Sequence, residues 1–327
     1  GAMAQERTFD LDFLNNATGF PGPDGIADAS GDIALTTILL NPLVTRDIGR
    51  QTAADLSVLA VSLPNISVDG DATPDLNASD VGALFHSLGT SSGVPFLAIE
   101  PMVSRAYLGA ATGALFRLGL AGSFGTQLKA GLASAGVIEG TAEYETAVTV
   151  IQTALDAGDS INYAGEAAAK MPIIHNQVIG DTTVPNVVPG APLSGNEAMN
   201  KIMGLEQYST RQVNPDGLHG VAKFLPPAFH ESLFLQVNDA PPFEEAPAVT
   251  FEMQGQAASF LVSRGTLVQV NNPDVLETVL GLSELFQDQP SDTPRNGKKR
   301  GNKPGDPPMG PTRAIRVPFR PLGRHEQ

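Results

Sequence analysis

The sequence predicts an α/β fold, a mostly parallel sheet flanked by helices, with a helical cap over one end. Three observations carry this prediction. Short apolar runs that suit buried parallel strands recur at "SDVGALF" (79–85), "MPIIHNQVIG" (171–180) and "GVAKFLPP" (220–227). Stretches with apolar residues at near-helical spacing lie before and between them. The two signals alternate along the chain, as βα units require.

Taken in order, "TRDIGRQTAADLSVLAVSL" (45–63) reads as the first helix. Thr45 is placed as its N-cap, Asp47 in its first turn, and Ile48, Ala53, Leu56, Leu59 and Val61 at the spacing of one face. The run 79–85 is the first strand, and "GTSSGVPFLAIE" (89–100) follows as a helix with small residues on its first turn. Residues 102–164 hold apolar helical segments interrupted by glycines, and these are assigned to the cap. The runs at 171–180 and 220–227 supply two further strands. Near the end, "NPDVLETVLGLSELF" places Asn272 as cap and Pro273 as first helical residue, which predicts a helix packed back on the sheet. No internal repeat is visible. The organisation expected is one domain over 1–287, with the cap at about 102–164, then a tail over 288–327 that is rich in Pro, Gly and basic residues and is read as extended or disordered.

Composition narrows the function. Of 327 residues, 42% are hydrophobic and 17% charged, with 34 Gly and 26 Pro, which fits a loop-rich globular chain. No apolar run approaches the ~20 residues that cross a bilayer, so no transmembrane segment is expected. The absence of cysteine excludes disulfides, Cys-zinc sites and thiol nucleophiles. The formal net charge of -15 divides into a body at -22 and a basic tail from Arg295 at +7. Such a body repels nucleic acid and anionic surfaces. The tail's "GKKRGNK" has no interleaved aromatics and no folded module around it, and no nucleic-acid partner is expected.

The chemistry is carried by "ALFHSLGT" (83–90). A sharp strand-to-helix turn can hold a serine out into a cleft when the residues two before and two after it are small. Gly89 meets the second condition for Ser87, while Phe85 breaks the first. Phe85 must therefore shift the turn or be absorbed by a small partner. The competing "AGSFG" around Ser123 fits the pattern better on paper, yet no strand precedes it, so its serine reads as a helix break or cap.

In α/β-hydrolases the order along the chain is Ser, then Asp or Glu, then His. Asp181 directly follows the apolar run "IIHNQVIG" and would leave a strand end into the loop "DTTVPN". Among the histidines, His86 is expected to point away from Ser87, His175 lies inside a strand before the acid, and His325 is in the tail. His219 and His230 both follow the acid, by 38 and 49 residues. His230 comes after the last candidate strand, where the final catalytic loop belongs, and is favoured over His219. Asp24, Asp28 and Asp32 do not have the spacing of a calcium loop. With no HExxH, no GxGxxG after a strand and no GxxxxGK, neither metal nor cofactor is expected.

Several stretches together resemble one family, the bacterial extracellular lipases and phospholipases of the virulence-factor lipase type. They are "ERTFDLDF", "DASGD", "TRDIGRQTAADLSVL", "FHSLGTSSGVPFLA", "DAGDSINYA", "VIGDTTVPN", "FHESLF" and "EMQGQAASFLVSRGTLVQV", in family order from about Glu6 to Val270. The resemblance implies an α/β-hydrolase fold, Ser87 as nucleophile, Asp181 as acid and His230 as base. The backbone N–H of Leu88 would be an oxyanion donor. It also implies ester hydrolysis of lipids or other acyl substrates by a protein that is extracellular or at the bacterial cell surface.

Two departures accompany it. Family members carry Gly where Phe85 stands, and a His-Gly oxyanion loop with core strands upstream of "ERTF". From this chain one therefore expects a sheet incomplete at its N-terminal strands, and an exposed strand edge open to self-association or a partner chain. The alternative function is a weak or inactive hydrolase-fold binding protein, or a fragment that needs a second chain for its oxyanion hole.

Overall fold

The computed structural model describes residues 12, 15–18, 22–27, 38–39, 41–71, 73–238 and 243–279. They lie in one compact unit, Gly1–Val279, and the second unit, Leu280–Gln327, is outside the described residues. The predicted tail and His325 fall there.

Asn41 and Pro42 set the first helix. Pro42 occupies the first helical position, where its missing N–H breaks no bond, and the Asn41 side chain accepts from the Val44 N–H at 3.3 Å. Helix α1 (Pro42–Ser62) therefore starts ahead of the expected cap. Thr45 lies inside it, with a buried hydroxyl that has no hydrogen-bond partner.

Strand β1 (Val81–His86) leads through Ser87 into α2 (Leu88–Ile99), which returns the chain to β2 (Val103–Gly109). Helices α3 (Leu115–Ala121), α4 (Gly125–Ser134), α5 (Ala142–Leu155) and α6 (Ala164–Lys170) precede β3 (Ile173–Val178). Then come α7 (Asn196–Met203), β4 (Glu206–Gln207), β5 (Gln212–Val213), β6 (His219–Phe224), α8 (Pro247–Val262) and β7 (Leu267–Val268). Five strands form one sheet in the order β1-β2-β3-β6-β4, with every pairing parallel. Strands β5 and β7 form a separate antiparallel pair. This is a mostly parallel sheet flanked by helices, as the sequence predicts. Among the described residues β1 pairs with β2 alone, so its other edge has no strand beside it.

Two expectations are corrected. Residues 103–109, assigned to the cap, are the second strand of the sheet. Ala106, Tyr107 and Leu108 are fully buried, because helices cover both faces of the strand. A strand apolar on both faces shows no alternation to separate it from a buried helix. The predicted helix at 272 is only a 3-10 turn, Pro273–Val275, after which Leu276 bridges antiparallel to Phe224. Strand β4 pairs with Gly220 and Val221 alone, so the rest of that β6 edge captures the chain: Glu277 N–H donates to the Lys223 carbonyl at 2.8 Å.

Alternate residues of each central strand feed two cores. On one face Ala106, Leu108 and Ile173 pack with Ala53 and Ala60 of α1, Val94 and Leu97 of α2, Ala164 and Ala167 of α6, and Met199 and Met203 of α7. On the other, Tyr107, Ile174, Ala222 and Phe224 meet Met253, Ala257 and Phe260 of α8. Each large apolar side chain buried this way stabilises the fold by about 1.5–3 kcal/mol. Helices α3, α4 and α5 share a third cluster around Phe116, Leu128 and Val148. No described helix is long and apolar enough to cross a membrane.

Candidate active site

Parallel strands deliver their following loops to one end of the sheet, and three of those loops converge. Ser87 follows the last residue of β1 and adopts φ 51°, ψ -126°. A non-glycine residue held at positive φ costs about 1–3 kcal/mol, so it persists only where its surroundings fix it. Here the Ser87 N–H donates to the Gly109 carbonyl at 2.8 Å. Its own carbonyl accepts from the Thr90 N–H at 2.9 Å and from the Thr90 hydroxyl at 2.6 Å. Helix α2 begins at Leu88, whose N–H belongs to the first turn and needs no partner inside the helix.

Phe85 is absorbed rather than shifting the turn. Its ring lies over Gly93 of α2, where an added Cβ would sit 2.4 Å from the ring carbon Cγ, and it meets Phe96 edge-on at 6.1 Å between centroids. Gly89, by contrast, has open space where a Cβ would go. The steric need that the motif assigns to the residues flanking the serine is met by Gly93 and by Gly109 of β2. A Cβ on Gly109 would come 2.4 Å from Nδ1 of His86.

Strand β3 ends at Val178, and Gly180, at φ 80°, turns the chain into Asp181. One oxygen of this carboxylate, Oδ1, accepts from the N–H groups of Thr183 at 2.8 Å and Val184 at 2.9 Å. The other, Oδ2, is 2.7 Å from Nδ1 of His230, which follows β6. Nε2 of His230 is 2.6 Å from the Ser87 hydroxyl oxygen. A tight turn sets the histidine: the Phe229 N–H donates to the fully buried Ser232 hydroxyl at 3.0 Å, and the Ser232 N–H returns to the Phe229 carbonyl. Asp181 and His230 are buried, and Ser87 is half-buried. With Asp181 accepting at Nδ1–H, the unprotonated Nε2 faces the serine, which is the arrangement of a general base next to a nucleophile.

Ser123, His219 and His175 lie away from the Ser87 hydroxyl. Ser123 is exposed in the turn between α3 and α4, and His219 opens β6 at the amino end of the sheet, opposite Ser87. His175 is fully buried in β3, where Nε2 accepts from the Ala111 N–H at 3.0 Å and Nδ1 meets Asn200. Burial lowers its pKa from 6.5 to about 4. His86, expected to point away from Ser87, lies against His230, with ring centroids 5.1 Å apart, and stacks edge-on with Phe234 at 5.2 Å. Burial first, and then the neighbouring His230, bring its pKa down to about 4, and neither ring nitrogen has a hydrogen-bond partner. Of the three acids tested as a calcium loop, Asp24 makes local turn bonds with Asn16 and Ile26, while Asp28 and Asp32 lie outside the described residues. Among the described residues no cluster of His, Asp or Glu is arranged to hold a metal ion.

Sequence reasoning missed the polar support around the elbow, formed by Thr90, Thr112, Asp159 and Ser160, all buried. The quoted segment "DAGDSINYA" contains two of these residues and was the available signal. A polar cleft of about 660 Å³ lies beside Tyr208 and His219, and none of its lining residues belongs to the Ser87 site.

No family model and no curated protein matches the chain. Solved structures similar to it include a puromycin-hydrolyzing peptidase of Mycobacterium tuberculosis, at 14% identity and a TM-score of 0.41, covering 68% of this chain and 28% of that one. A puromycin hydrolase is similar at 12% identity and a TM-score of 0.37, covering 65% and 25%. Acetyl xylan esterase 1 of a Thermoanaerobacterium species is similar at 16% identity and a TM-score of 0.33, covering 55% and 47%. The chain thus spans about a quarter of the length of the first two.

Proposed function

We propose that the chain is a serine carboxylic-ester hydrolase that works through an acyl-enzyme. The observation that carries the reading is His230 bridging Ser87 and Asp181 at 2.6 Å and 2.7 Å. Ser87 Oγ attacks the ester carbonyl carbon while Nε2 of His230 takes its proton. Asp181 holds the imidazole and stabilises its cationic form. The Leu88 N–H donates to the oxyanion. The tetrahedral intermediate collapses, the alkoxide leaves with the proton from His230, and water then clears the acyl group by the same steps in reverse order.

The substrate class proposed is a lipid or other acyl ester, by an enzyme of the virulence-factor lipase type that acts outside the bacterial cell. The ordered motifs quoted above support this. So do two exposed apolar side chains by the site, Leu88, next to the nucleophile, and Phe234, against His86. The test is hydrolysis of p-nitrophenyl esters of increasing chain length by the wild type and Ser87→Ala. Turnover by the wild type alone supports the reading, and equal turnover by both proteins would overturn it.

Among the described residues no strand pairs with the outer edge of β1, and this favours a second reading. In it a further strand, from a second copy or a partner chain, pairs there and supplies a second oxyanion donor beside the Leu88 N–H, so the isolated chain is a weak enzyme or a binding protein. Loss of one such donor costs about 10²- to 10³-fold in rate. Light scattering after size exclusion separates the cases, because a strictly monomeric chain with high turnover contradicts this second reading.

A further inference from the structure

The segment "DAGDSINYA" has no part in the mechanism above, yet it is built into the elbow. Asp159, in this segment, is a buried carboxylate that accepts from four donors. Oδ1 takes the N–H groups of Ala114 (3.0 Å) and Ile161 (3.2 Å), and Oδ2 takes the Leu115 N–H (2.6 Å) and the Gln152 side-chain amide (3.0 Å). The adjoining Ser160 hydroxyl donates to the carbonyl of Thr112. These bonds tie down the loop 110–115 after β2. It contains two alanines at positive φ, Ala110 at 46° and Ala114 at 50°, which would relax without such restraint.

The loop in turn holds Thr90. The Thr112 N–H donates to the Thr90 hydroxyl oxygen at 2.9 Å, and the Thr112 hydroxyl lies 3.1 Å from the same atom. A hydroxyl has one hydrogen, and that of Thr90 goes to the Ser87 carbonyl at 2.6 Å, so the Thr112 hydroxyl must be the donor of their pair. Every proton in the chain is thereby assigned. Thr90 and Thr112 are shielded from water, so a lost member leaves buried groups unpaired, with no solvent to replace the bond.

We propose that Thr90 is the positioning residue of the nucleophile, and that Asp159, Ser160 and Thr112 form the strut that sets it. The strut runs from the end of the helical segment to the peptide of Ser87, and it fixes the serine in its positive-φ turn without touching the substrate. This rests on Ser87 being the nucleophile. A displacement of about 1 Å at a reacting atom can cost about 10²-fold in rate, so losing the hydroxyl of Thr90 should act on the chemical step and leave substrate binding almost unchanged.

The experiment measures fluorophosphonate labelling and p-nitrophenyl ester kinetics on the full chain. Its variants are Thr90→Val, Thr90→Ser and Ser160→Ala, with Ser87→Ala as control and Tm recorded for each. Thr90→Val is expected to lower kcat and the labelling rate by about tenfold to hundredfold with KM within about twofold, while Thr90→Ser, which keeps the hydroxyl, restores most of the rate. Ser160→Ala, one step further from the serine, is expected to slow labelling by about threefold to tenfold. It carries the test if Thr90→Val does not fold. Wild-type labelling rates in Thr90→Val or Ser160→Ala, or equal losses in Thr90→Val and Thr90→Ser, overturn the proposal. Labelling that persists in Ser87→Ala overturns the nucleophile assignment instead.

Discussion

The two flanks of Ser87 differ completely. On the inner side β2 and Thr90 bond the peptide groups before and after it, the loop 110–115 holds Thr90, and β3 and β6 deliver Asp181 and His230, the latter to its hydroxyl. On the outer side, among the described residues, no strand pairs with β1. The difference teaches that one side of the sheet suffices to bring Ser87, His230 and Asp181 into one hydrogen-bonded row.

That contrast can be broken most sharply at His230, the proposed base. His230→Ala is expected to reduce ester hydrolysis by at least about 10³-fold, measured as kcat/KM, with the fold retained by circular dichroism. A loss of less than tenfold would show that the inner flank does not carry the chemistry.

Next in size is Gly93→Ala, which puts a Cβ into the Phe85 ring. It should destabilise the protein by about 2–3 kcal/mol in urea unfolding. Because the clash is with one ring, Phe85→Ala combined with Gly93→Ala is expected to lose less than the two single changes summed.

A third measurement uses the two buried imidazoles, His175 with both nitrogens bonded on the inner flank and His86 with neither bonded on β1. Burial lowers both pKa values from 6.5 to about 4, so the unfolded chain binds these protons first as pH falls. Stability is full above pH 6.5 and declines toward pH 4, by about 1–2 kcal/mol per imidazole between pH 6.5 and 5. The urea midpoint should therefore fall from pH 7 to pH 5, and His86→Gln should reduce that fall.

The smallest effect is expected at Gly89→Ala. Its Cβ meets open space inside a helix, so the change should stabilise by up to about 1 kcal/mol and leave kcat/KM within about threefold.

Much of this was legible in the sequence, for reasons particular to each element. Strands β1, β3 and β6 stood out because each is a short apolar run bounded by loop residues. Chain order placed Ser87, Asp181 and His230 each after a strand, and a parallel sheet sends the residues after its strands to the same end. Strand β2 was lost among glycine-broken helices because both its faces are buried. The contact of His86 with His230, the seat of Phe85 on Gly93 and the strut behind Thr90 are contacts through space. Between Thr90 and Asp159 the chain runs for 69 residues, and no local pattern spans that separation.

The pairing of Phe85 with Gly93 has a consequence for how such sites diverge. A glycine two residues before the serine, and a ring at that position seated on a glycine eight residues further on, solve the same packing problem in two ways. In an alignment of this chain's relatives the two positions should covary, large with small and small with large. A search keyed to the elbow's spacing would pass over the members that made the exchange.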